Sequence, residues 1–136
     1  MTDAIDDFDW VTARNKCSVR KVFETLKLQV ENDIRIRNES LQSDQTRRYG
    51  YSYGIATAVG GFTVFLEGVV GTRHTVIFSI TQKGSILVST DEGDAVIEGT
   101  PTICDDGKCR LKVNGQEREL WHVRKMALED LFFHTY

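Results

Sequence analysis

Apolar residues recur at intervals of three and four from Val19 onward: Val19, Val22, Phe23, Leu26, Val30 and Ile34. That spacing is one stripe of an amphipathic helix. Ser18 stands just before it and is a suitable cap for the first turn. Glu31 precedes Arg35, and Asp33 precedes Arg37, by four positions each, the favourable order for helical ion pairs. The pattern predicts a helix over 18–38, followed by an exposed polar loop over 39–47. Residues 1–9 read as an acidic, frayed tail, and 10–14 as a connector without assigned structure.

From Arg48 to Trp121 the period changes. β-Branched and aromatic residues dominate, and glycine-containing turns recur. Asn114-Gly115 is a strong two-residue hairpin turn. It sets Lys112 opposite Glu117 and Arg110 opposite Glu119, two pairs of opposite charge. Asp106-Gly107, read the same way, sets Cys104 opposite Cys109. With Gly60-Gly61, Gly71-Thr72 and Lys83-Gly84 as further turns, strands are expected near 49–58, 62–69, 74–81, 85–90, 95–104, 109–113 and 116–121. These registers put Tyr49, Tyr51, Tyr53, Ile55, Val64, Leu66, Ile77, Ile86 and Val88 on one face. Gly54, Ala56, Phe65, Glu67, His74, Val76, Phe78, Ile80 and Leu87 fall on the other. Apolar residues on both faces imply that both are covered. A last helix is expected over 122–133, with Val123, Ala127, Leu128, Leu131 and Phe132 as its core stripe.

The fold class is therefore α+β: an amphipathic helix, an antiparallel meander or partial barrel of about six or seven strands, and a C-terminal helix. Seven strands followed by a helix resemble pleckstrin-homology-like barrels in element count. A length of 136 residues fits a single domain. Such a chain buries enough surface to fold without a metal or disulfide.

Composition narrows the function classes. A net charge of −3 argues against a nucleic-acid module. No apolar run is long enough for a membrane span. The acidic start is unlike a signal peptide, so a cytoplasmic location is expected.

The chemical signals are few. Cys104 and Cys109, facing each other across the predicted turn, would form a redox-sensitive dithiol. No second cysteine or histidine pair accompanies them, so no metal site and no cofactor are expected. Asp91-Glu92-Gly93-Asp94 is an acidic turn without the spacing of a calcium loop. Glu67 and His74 are the one acid–base pair that the registers bring together, beside a cavity bordered by Phe65 and Phe78 and opened by Gly54 and Ala56. Tyr49, Tyr51 and Tyr53 alternate after Arg47-Arg48, an arrangement able to stack single-stranded bases. Phe132, Phe133 and Tyr136 end the chain in an aromatic patch suited to an interface. The expected role is a non-enzymatic binding or regulatory module. It would act through a protein partner, a small apolar ligand or self-association. A Glu67/His74 enzyme and a tyrosine-strand nucleic-acid binder are the alternatives.

Overall fold

The computed structural model describes residues 7–43, 52–67, 74–90 and 95–133. Helix α1 (Trp10–Lys16) occupies the expected connector. Asp9 caps it, its carboxylate accepting from the Thr12 N–H at 3.0 Å and the Thr12 hydroxyl at 2.7 Å. Helix α2 spans Val19–Ser43. Ser18 caps it as expected, its Oγ accepting from the Lys21 N–H at 3.3 Å. The predicted stripe is the buried one, and Leu41 extends it. The polar stretch expected to be a loop from residue 39 thus stays helical to Ser43, while 44–47 lie outside the described residues.

Seven strands follow in meander order: β1 (Ser52–Ala58), β2 (Gly61–Glu67), β3 (Thr75–Ile80), β4 (Ile86–Thr90), β5 (Ala95–Ile103), β6 (Cys109–Val113) and β7 (Gln116–Arg118). Every neighbouring pair is antiparallel. The sheet stays open and does not close into the barrel of the pleckstrin-homology-like layout. Helix α3 (Leu120–Phe133) ends the described chain, and all five residues of its expected stripe are buried.

Both long helices lie on one face of the sheet. Leu26, Val30 and Ile34 of α2 and Val123, Leu128 and Leu131 of α3 share a core with Phe62, Val64, Val76, Phe78, Ile86, Val88 and Leu111. Phe62 stacks on Phe78 at 4.7 Å between centroids, and Phe23 meets Phe62 at 5.2 Å. Val76 and Phe78 thus share the face of Val64, not the opposite one. The cause is register: Val64 pairs with Val76 and Phe62 with Phe78, an odd-numbered slip from a two-residue turn at Gly71-Thr72. Such a slip turns a whole strand over. With β3 restored, the outer face carries Thr63, Phe65, Thr75, Ile77, Ser79 and Leu87, which are partly exposed. Among the described residues the sheet is covered on one side only, so the expectation of two covered faces is not met there.

The edge strand β1 has an unusual partner. The Asn38 side chain of α2 donates to the Tyr53 carbonyl at 2.9 Å and accepts from the Tyr53 N–H at 2.8 Å. One amide thereby satisfies both backbone groups that Tyr53 turns away from the sheet. The Tyr53 hydroxyl reaches the carbonyls of Leu131 and Phe132 at 3.0 and 3.1 Å. Together these bonds fasten α2, β1 and α3 at one corner.

Candidate functional site: a groove between the two long helices

Several expected site residues do not converge. Glu67 is exposed at the end of β2. The His74 carbonyl accepts from the Leu66 N–H at 3.1 Å, which puts His74 in register with Leu66, not with Glu67. Successive residues of β2 point to opposite faces, so Glu67 and His74 are not brought together. Phe65 and Phe78 lie on opposite faces too. The cavity expected beside Gly54 is filled: a Cβ added there would stand 2.7 Å from Phe65 Cζ. Tyr53, the described member of the tyrosine strand, has its ring buried against Phe132 at 4.8 Å and is closed to a base. Tyr49, Tyr51, the Arg47-Arg48 pair, the 91–94 turn and Tyr136 lie outside the described residues.

The cysteines pair differently from the expectation. Cys109 bonds Cys17, with 5.6 Å between their Cα atoms, and Cys104 is free and buried. The Asp106-Gly107 turn is a longer loop in which the Cys104 N–H bonds the Lys108 carbonyl and Ile103 faces Cys109. That one-residue difference removes Cys109 from Cys104 and aims it at the N-terminus of α2. Burial pushes the Cys104 thiol up, against the pull of Arg110. A thiol so placed is a poor nucleophile.

Another polar cluster was not read from the sequence. The Ser85 hydroxyl stands 2.6 Å from Glu98 and 2.6 Å from the Thr81 hydroxyl, while Lys83 approaches Glu98 at 3.3 Å. These groups satisfy one another and tie the β3–β4 loop to β5. The bond from Ser85, then that from Lys83, lowers the Glu98 pKa.

The aromatic end of α3 divides in two. Phe132 docks onto Tyr53 and is buried, whereas Phe133 remains 57% exposed. Phe133 borders a groove of about 430 Å³ between α2 and α3. Asp33, Arg37 and Ser40 line one wall, at helical spacings of four and three. Trp121, Lys125, Leu128 and Phe132 line the other, at four, three and four. Ile36 and Trp121, 51% and 50% exposed, stand at its rim.

The walls are cross-linked by charge. Arg124 Nη1 contacts both carboxylate oxygens of Asp33 at 2.9 Å. Burial pushes the Asp33 carboxyl above its usual range, and Arg124 opposes that shift. Arg37 Nε donates to the Phe132 carbonyl at 3.0 Å, and its guanidinium lies 4.4 Å from the Phe133 ring centre. The expected Asp33–Arg37 and Glu31–Arg35 pairs are thus replaced: Arg35 turns to Glu39 at 3.0 Å.

The groove continues past Trp121 and Arg124 into a second recess of about 260 Å³, bordered by Gln29, Lys108, Cys109, Arg110 and Glu119. Gln29 Oε1 and Arg124 Nε are buried beside it with no partner among the described residues. Such atoms are few in folded proteins and call for a partner. Five basic residues (Arg37, Lys108, Arg110, Arg124, Lys125) and three acidic ones (Asp33, Glu119, Glu129) border the two recesses. Three of the bases are paired in place, Arg124 with Asp33, Lys125 with Glu129 and Arg110 with Asp106, so the groove keeps only a small positive excess on a chain whose net charge is −3.

The signal in the sequence was the set of apolar residues off the core stripes: Ile36, Trp121 and Phe133. Among the described residues, no group of three or more His, Cys, Asp or Glu side chains is placed to hold a metal ion, and no helix is long and apolar enough to cross a membrane. Fold and groove define an α+β protein with a helix–helix cleft over an open antiparallel meander. No protein-family model, curated protein or solved structure matches the chain at a significant level.

Proposed function

We propose that the protein is a non-enzymatic binding module whose α2–α3 groove takes an amphipathic, acidic segment of a partner protein. The observation that carries this reading is the groove itself: Ile36, Trp121 and Phe133 leave half their surface in water around a cleft of about 430 Å³. Large apolar side chains clustered at a polar-rimmed cleft are the usual marker of a docking site. The excess of basic residues selects an acidic occupant. A groove open along its length suits a chain better than an enclosed small apolar ligand.

The cytoplasmic location suggested by the sequence and the Cys17–Cys109 bridge pull in opposite directions, because disulfides persist in oxidising compartments. The docking reading holds in either setting.

The test uses Trp121 fluorescence in a Trp10→Phe background. The probes are a helical peptide with leucines at three- and four-residue spacing and glutamates elsewhere, and its lysine counterpart. The glutamate peptide should shift the emission, and the lysine peptide should not. Ile36→Asp with Phe133→Asp should abolish the shift while the circular dichroism stays unchanged. Equal responses to both peptides, or none, would refute the proposal.

A further inference from the structure

We infer that the edge of β1 is a pairing site for the β1 strand of a second copy of this chain, forming an antiparallel, two-fold symmetric sheet across two molecules. Tyr53 turns its N–H and C=O away from β2, where Asn38 takes both. Alternation along the strand puts the same groups of Ile55 and Thr57 on that outer edge. Among the described residues neither finds a hydrogen-bond partner there. Unpaired backbone groups in a row are a template for another strand.

The two edges of the sheet differ. The β7 edge has three residues and carries Glu117 and Arg118, the short and charged design that blocks pairing. The β1 edge has neither protection: no charged residue occurs from Tyr49 to Leu66. An uncharged strand meets its own copy without like charges facing each other. Its outward side chains, Gly54, Ala56 and Ala58, are small enough for close approach.

The geometry also bounds the register. Asn38 closes the edge at Tyr53, and the turn at Val59 and Gly60 ends it on the other side. Within that window, Ala56 opposite Ala56 of the second copy lies on the two-fold axis. Ile55 then exchanges both backbone bonds with Thr57 of the other molecule, and Gly54 faces Ala58. Val59, fully exposed in the isolated chain, comes to lie beside the partner's edge.

Sedimentation over a wide concentration range tests this with two variants at one position. Ala56 is exposed on the outer face, so Ala56→Lys and Ala56→Glu leave the monomer folded. Wild type should show a monomer–dimer equilibrium. Each variant alone should dimerise at least about tenfold more weakly, since like charges then meet at the axis. An equimolar mixture of the two should recover dimers as a mixed pair. A wild type that stays monomeric at its solubility limit would overturn the inference. So would a dimer that both variants form as readily, which would place the contact elsewhere. The groove reading is tested separately, because Ile36→Asp and Phe133→Asp do not touch this edge.

Discussion

Replacing Asn38 by alanine would strip Tyr53 of both outward backbone partners at once. The expected loss is about 1–3 kcal/mol, the range for leaving shielded polar groups unpaired, read as a lower urea midpoint. Asn38→Asp should do no better, because its carboxylate would face the Tyr53 carbonyl with no proton to donate. A second residue-scale effect concerns acid. The Arg110 side chain, bonded to Asp106 at 2.7 and 2.9 Å, and the Lys108 N–H hold the Asp106 carboxyl down at about 2, against an ordinary value of 3.8. A carboxyl more acidic in the folded chain favours folding above pH 3.8. That contribution is lost as pH falls from there through about 2. Asp106→Asn should therefore flatten the fall in urea midpoint over this interval. An unchanged slope would mean that Asp106 is equally acidic in the unfolded chain. Asp33 works in the other sense: its raised carboxyl favours the folded chain as acid is added.

At the scale of elements, what was legible depended on whether the turn alone set the register. Asn114 and Gly115 both take positive φ, 52° and 79°, and Lys112 pairs with Glu117 as expected. The turn residues there dictate the geometry. Between β2 and β3 the connection is longer than two residues, so the pairing of Val64 with Val76 decides instead. The β3–β4 loop, closed by the Thr81 N–H on the Ser85 carbonyl, adds another odd slip. Two odd slips cancel, which is why Ile86 and Val88 fall on the expected face while β3 between them does not. The helix stripes were legible because a period of 3.6 needs no partner to be recognised. The groove was not, since it exists only where α2 and α3, far apart in the chain, lie side by side. The disulfide likewise joins residues 92 apart in sequence, beyond any local pattern.

At the scale of the whole molecule that bridge is a covalent tie between distant parts of the chain. Closing so large a loop restricts the unfolded chain and stabilises the fold by roughly 2–4 kcal/mol. Under a reducing dithiol the urea midpoint should fall, and Cys17→Ser should match the reduced wild type rather than add to it. Thiol counting on the unfolded, unreduced protein should find one free group, from Cys104, because Cys17 and Cys109 are joined. Three would mean that the bridge is absent from the isolated protein.

The bridge also gives the molecule a topology that its linear sequence conceals. From Cys17 to Cys109 the backbone and the sulfur bond form a closed ring holding α2 and β1 to β5. Helix α1 leaves it as one tail, and the rest of β6 with β7 and α3 as the other. A protease that cuts one peptide bond inside the ring opens the circle without parting the molecule. Without reductant the nicked protein should run as a single species, heavier only by one water. With reductant it should separate into two fragments.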